Sequence, residues 1–141
     1  MSLTHHQDLH NIIRGRFYDQ VETVVAGLLG KVEYDNVKFT VPNGSTWVRW
    51  SVRPGASNQA SIGCPGSNRH RSGGVAIAQV FATLETGDKN QMIIVDAIKK
   101  AFQAVTDQGV IFMTPSIAVV GRSDGWWQVN VTCPFQADEF A

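Results

Sequence analysis

The side chains best suited to chemistry sit near the start of the chain. His5, His6 and His10 lie close together, with Asp8 between them. On a helix, His6 and His10 stand one turn apart, a spacing at which two imidazoles can share a metal ion. No glutamate occupies the general-base position of an HExxH motif, and a solvent-facing first helical turn accounts for the same residues. Gly63-Cys64-Pro65-Gly66-Ser67-Asn68-Arg69 has the glycine content of a phosphate cradle. It lacks the Lys followed by Ser or Thr that would reach phosphate and magnesium. Cys64 would be a nucleophile only if His70 stood beside it, because thiol reactivity needs an electropositive setting. Cys64 and Cys133 form no CxxC pair and no zinc spacing, so two free thiols is the simpler reading. No GxSxG elbow presents a serine. These residues point away from an enzyme, and they imply no metal and no cofactor.

One cluster has a different character. Arg49 and Arg53 share a strand face, and Arg69, His70 and Arg71 follow in a neighbouring segment. The four arginines are a third of the 12 basic residues. Such a surface meets nucleic acid or an acidic partner, and Trp47 beside it offers a ring for stacking on a base or packing against a subunit. A solvated strand face and an exposed loop explain the same charges.

The elements that position these residues follow from hydrophobic spacing. Leu9, Ile12, Ile13, Phe17, Val21, Val24, Val25 and Leu28 are three and four residues apart. This spacing predicts a helix over 4–29, with Thr4 and Gln7 as a capping box and Gly30 as its stop. A short strand is expected over 37–41, closed by Pro42-Asn43-Gly44. Strict alternation over 47–53 predicts a strand that buries Val48, Trp50 and Val52. Residues 55–74, rich in Gly, Ser, Asn and Arg, read as a long loop of the functional or disordered kind, with a short strand at 59–62 within it. The strand expected over 74–84 is apolar on both faces and should be covered on both sides. Asp88 and Gln91 suggest a second capping box. Ile94, Ile98, Ala101, Phe102 and Val105 then form a helical stripe that ends at Gly109. Strands are expected over 117–122 and 126–135, and the Asp124-Gly125 turn between them is a strong hairpin signal.

The order of these elements predicts an α+β fold: a mostly antiparallel sheet of four to five strands, with two helices packed on one face. The 141 residues are the usual size of one domain, and residues 1–141 are read as a single one. Lys plus Arg and Asp plus Glu each number 12. A nucleic-acid-binding domain usually carries a basic excess, whereas a neutral chain does little to keep its copies apart. No run approaches the ~18 apolar residues of a membrane span, and the polar N-terminus lacks the apolar stretch of a signal peptide.

Three segments together resemble the phage tail terminator-like (tail completion) family, related to the minor tail protein that ends the tails of lambda-like phages. They are Trp47-Val48-Arg49 through Val52-Arg53-Pro54-Gly55 into Gln59-Ala60-Ser61-Ile62-Gly63; Arg69-His70-Arg71-Ser72-Gly73-Gly74-Val75 into Ile77-Ala78-Gln79-Val80-Phe81; and Asp124-Gly125-Trp126-Trp127-Gln128-Val129, ending in Pro134-Phe135-Gln136-Ala137-Asp138. The resemblance covers nearly the whole chain. It implies a structural virion protein, assembled in the host cytoplasm, that caps the tail tube at the head-proximal end. It further implies a homo-oligomeric, hexameric ring that contacts the tail tube protein and the head-completion or neck proteins. DNA would meet it only in passage through the lumen, and no membrane is involved. The family supplies no catalytic residues. Arg49, Arg53, Arg69, His70 and Arg71 are the expected partner or lumen surface. A head-closure or neck connector, and a small nucleic-acid-binding domain using the arginine-rich loop, are the competing readings.

Overall fold

The computed structural model describes residues 6–42, 44–59, 69–84 and 89–140. The chain runs α1 (His6–Phe17), a π-helical turn (Tyr18–Glu22), β1 (Val32–Tyr34), β2 (Trp47–Gln59), β3 (Arg69–Thr83), α2 (Lys89–Phe102), β4 (Val105–Asp107), β5 (Val110–Phe112), β6 (Ser116–Ser123) and β7 (Trp126–Phe140). The class is α+β, as expected. The sheet is larger than expected, with seven strands in the order β1-β2-β3-β7-β5-β4 and β6 also on β7. It is mixed, because β1 runs parallel to β2 while the other pairs are antiparallel.

The alternation of β2 holds. Val48, Trp50 and Val52 are buried on the helix side, with Ala76, Ala78 and Val80 of β3 and Val129, Val131, Cys133 and Phe135 of β7 beside them. The helices supply Ile13, Phe17, Ile94, Ile98 and Phe102 to the same core. A chain of rings ties the layers together. Phe17 stacks on Trp50 at 4.2 Å, Trp50 lies 5.2 Å from Phe102, and Phe102 meets Phe112 edge-on at 5.0 Å. Contacts of this kind add to what area burial alone provides.

The opposite face of the sheet carries a smaller apolar cluster. Phe81 stacks on Trp47 at 4.4 Å, Phe39 lies over Trp47 at 5.5 Å, and Trp126 meets it edge-on at 6.0 Å. The second cover expected for β3 is thus supplied in part by the irregular segment carrying Phe39.

Four local expectations change. The first helix is shorter than 4–29: α-helical bonding stops at Phe17 and widens into the π turn, where the Thr23 N–H donates to the Tyr18 carbonyl at 3.1 Å. The wider turn brings both Val21 and Glu22 inside. Glu22 is held there by the Tyr34 hydroxyl, which donates to Oε1 at 2.5 Å, and by the Gly30 N–H at 3.3 Å. Val24, placed on the buried stripe by its spacing, is exposed beyond this turn.

The strand expected over 37–41 is not formed; the residues that pair with β2 are Val32–Tyr34. The second helix ends at Phe102, where Ala104 adopts a left-handed φ of 51°. Val105 then opens a tight hairpin turned by Gln108 and Gly109, both at positive φ, as a type I′ turn requires. Finally, the described parts of the loop read over 55–74 are strand. β2 continues to Gln59, β3 begins at Arg69, and β7 pairs along β3 to Phe140, which makes a three-stranded arm. The capping box suggested at Asp88 and the strand suggested beyond Gln59 fall outside the described residues. Gln91 itself is fully buried, and its amide donates to the carbonyls of Val80 and Trp127, both at 2.9 Å.

Candidate functional site

β2 and β3 bring Arg49, Arg53 and Arg71 onto one face, and acidic neighbours answer the first two. Arg49 is opposite Gln79 and Arg53 opposite Val75 in the β2–β3 register, while Arg71 lies further along the same strand, opposite Asn58. By the alternation of β3, Arg71 shares the face of Val75 and Gln79, away from the helices. Arg49 pairs with Glu33 of β1 at 2.6 Å, reaches Gln79 at 3.4 Å and lies over the Trp47 and Phe81 rings. Arg53 pairs with Asp35 at 3.4 Å, and Asp35 also accepts from the Val52 N–H. Arg71 is exposed and faces Asp138 of β7 in backbone register; Arg69 and His70 stand opposite Phe140 and Glu139. Arg49 and Arg53 thus stand in pairs of opposite charge and not in a bare basic stripe. Exposed pairs of this kind contribute little to stability, but they set the pattern a partner must match.

Among the described residues, no group of three or more His, Cys, Asp or Glu side chains is arranged to hold a metal ion. His5 and Cys64 lie outside the described residues. Cys133 is fully buried, and burial pushes its thiol up to about 12. At pH 8 the thiolate, which is the nucleophile, is therefore scarce as well as shielded. An aromatic disulfide reagent should leave Cys133 unmodified in the folded protein and titrate it on unfolding; rapid labelling of the native chain at Cys133 would contradict this. The sign with pH follows. A thiol whose folded value lies above its ordinary 9.0 stabilises fully below that pH, and the contribution is lost as pH rises toward 12.

An open cleft of about 670 Å³ lies at the start of α2, lined by Lys31, Ser45, Thr46, Lys89, Asn90 and Gln91 among others. Its described walls carry no histidine, cysteine or carboxylate. No helix among the described residues is long and apolar enough to cross a membrane.

What the surface does present is exposed apolar side chains. Ile111, Met113, Ile117, Val119, Val120 and Trp127 are exposed in or beside β5, β6 and β7, and Val24, Leu29, Val37 and Val41 are exposed in the segments before and after β1. The spacing of the sequence identifies the strand over β6 but not this surface. The one signal was the run Ile117-Ala118-Val119-Val120, apolar at both parities.

The sequence model of a family described as phage tail terminator protein matches residues 13–135, from α1 well into β7. The chain belongs to the phage tail terminator family. This is a structural, non-enzymatic family, so membership gives the chain a structural role in phage tail assembly, among the other components of the virion tail. One solved structure is similar in fold to this tail terminator family member. It is 18% identical, with a TM-score of 0.64, over 91% of this chain and 94% of that one. A comparison with curated proteins found no match.

Proposed function

We propose that this protein caps the phage tail tube. Copies of it form a ring, hexameric by family analogy, on the last ring of tail tube protein, end the polymerisation of the tube and present the surface that head-completion proteins join. It acts at the head-proximal end of the virion tail, and DNA meets it only in passage through the lumen. The observation that carries this reading is the family match over residues 13–135. The sheet faces add support: one is filled by helices, while the other displays a row of paired charges suited to register with a partner. Arg53 and Arg71, with Arg49, Arg69 and His70 along the same strands, form the partner or lumen surface. Arg49 also holds Glu33 and rests on Trp47, so the exposed pair Arg53 and Arg71 makes the cleaner test.

Electron microscopy of particles from a phage lacking this gene decides the matter. Overlong tubes unattached to filled heads are the expected result. Tails of normal length that merely fail to join heads would assign the protein to the neck instead, and intact infectious particles would remove it from virion assembly. Complementation with a chain carrying Arg53→Glu and Arg71→Glu should leave the protein folded but joined particles scarce; full infectivity from that chain would show that this face meets no partner.

A further inference from the structure

The cleft at the start of α2 has no part in the tail-capping reading. It lies where β2 begins and β3 ends, since Thr46, Ala82 and Thr83 line it. From Thr83 back to Arg71 along β3 is roughly 40 Å at ~3.3 Å per residue. The cleft is therefore a separate surface, at the end of the sheet away from the arm. Lys31 and Lys89 reach it from different elements, and neither is paired with a carboxylate among the described residues. By contrast, Arg16, Arg49 and Arg53 each hold an acid. Lys89 opens α2, whose first turn carries no acidic residue. The first N–H groups of a helix have no carbonyl partner within it and favour a negative charge. Ser45, Thr46 and Asn90 add neutral hydrogen-bonding groups, and no described wall supplies a carboxylate. Two ammonium groups beside a helix start, without a counter-charge, call for an acidic ligand.

Two further features say what carries the acid. Val25 and Ile93 line the same cleft, the first half-buried and the second exposed. Gln91, also in its wall, is fully buried. Its amide nitrogen donates to the Val80 and Trp127 carbonyls, while its Oε1 finds no donor. A phosphate ester carries acceptors alone and gains nothing from apolar walls. A peptide brings carboxylates, apolar side chains and N–H donors together. The cleft volume of about 670 Å³ lies within the ~300–1,000 Å³ of ligand pockets, room for a short segment of chain and not merely for an ion.

We propose that this cleft binds a short acidic segment of a partner protein, with Asp or Glu carboxylates set against Lys31 and Lys89 and a neighbouring apolar side chain against Val25 and Ile93. The site is independent of the ring and of the Arg53 and Arg71 face, so either can fail while the other stands.

Amide chemical shifts of the purified full chain, titrated at low salt with the peptide acetyl-Leu-Asp-Glu-Leu-amide, read the site directly. Signals of Lys31, Ser45, Thr46, Lys89, Asn90 and Gln91 should move saturably, and binding should weaken as salt rises. The matched peptide acetyl-Leu-Asn-Gln-Leu-amide should bind roughly tenfold more weakly, the effect of losing two exposed ion pairs. A chain carrying Lys31→Gln and Lys89→Gln should keep the wild-type circular dichroism melt and lose the preference for the acidic peptide. Equal binding of the two peptides to the wild-type chain, or an undiminished acid preference in the double variant, would overturn the charge recognition. Shifts confined to other residues, or none at the highest soluble peptide concentration, would overturn the site. A thymidine oligonucleotide or inorganic phosphate that moves the same signals at lower concentration than the peptide would assign the cleft to phosphate groups and overturn the peptide.

Discussion

Trp50→Ala lowers the unfolding free energy by about 4 kcal/mol, the range for removing a large ring from a packed core. Trp50 is 2% exposed and sits between Phe17 and Phe102, one ring from each helix. Its removal takes away the transfer energy of the indole and leaves a cavity where α1, β2 and α2 meet. A protein of this kind has roughly 5–15 kcal/mol of stability in all, so the variant should melt roughly 15 °C lower. Trp50→Phe separates ring stacking from bulk. The indole N–H of Trp50 is buried and finds no hydrogen-bond acceptor among the described residues, so phenylalanine keeps a stacking ring and removes an orphan donor, and should lose well under half as much. Denaturant unfolding followed by circular dichroism measures both. A loss below about 1 kcal/mol for Trp50→Ala would mean that this ring chain is not the centre of the core.

Gly74→Ala has the next largest effect, about 3 kcal/mol, as expected when a methyl group is forced into filled space. A Cβ on Gly74 would lie 2.5 Å from the Arg53 carbonyl oxygen and 2.8 Å from the Phe135 ring. The ring can turn aside, but the carbonyl belongs to the ladder that pairs Pro54 with Gly74. Across the strand, a Cβ on Gly55 would meet the Gly73 carbonyl at 2.8 Å. The strands approach this closely because β2 shifts register between Pro54 and Ser57, and such bulges kink and twist the strand that carries them. The neighbouring residue supplies the control. A Cβ on Gly73 meets only the Phe135 carbonyl, at 3.7 Å, so Gly73→Ala should stay within about 1 kcal/mol of wild type. Equal melting temperatures for Gly73→Ala and Gly74→Ala would show that the close approach is not a constraint. The two variants also probe the root of the arm that carries Arg71, so Gly74→Ala should impair particle joining more than its stability alone predicts.

The terminator resemblance rested on ordered segments whose described residues lie mainly on β2, β3 and β7, the three long strands at the middle of the sheet. Those segments were legible because each carries its own local signal: alternation at Val48, Trp50 and Val52, and Asp124-Gly125 between two apolar runs. The stripe Ile94, Ile98, Ala101 and Phe102 was legible for the same reason. The hairpin at Gln108 and Gly109 was missed because Val105 fits the helical stripe equally well, and only the left-handed Ala104 ends the helix before it.

The candidate surface was less legible. The alternation of the sequence put Arg49 and Arg53 on one face and read Arg71 in a neighbouring loop; it did not reveal that Arg71 lies on a strand, nor that Glu33 and Asp35, from a strand and a turn more than a dozen residues earlier, stand beside Arg49 and Arg53.

The sequence by itself determined the α+β class, the central helix and the long strands. These follow from hydrophobic periods and turn chemistry, which act over a few residues; the terminator family was indicated separately, by the resemblance of three ordered segments. Only the tertiary structure decided that the Gly- and Ser-rich flanks of the 55–74 segment become an arm, because their weak local preference is overridden by ladders to β3 and β7. It also decided that Glu33 and Asp35 answer Arg49 and Arg53, and that Ile117 and Val119 of β6 stay exposed, because burial depends on which distant elements pack against a strand and not on its own apolar run.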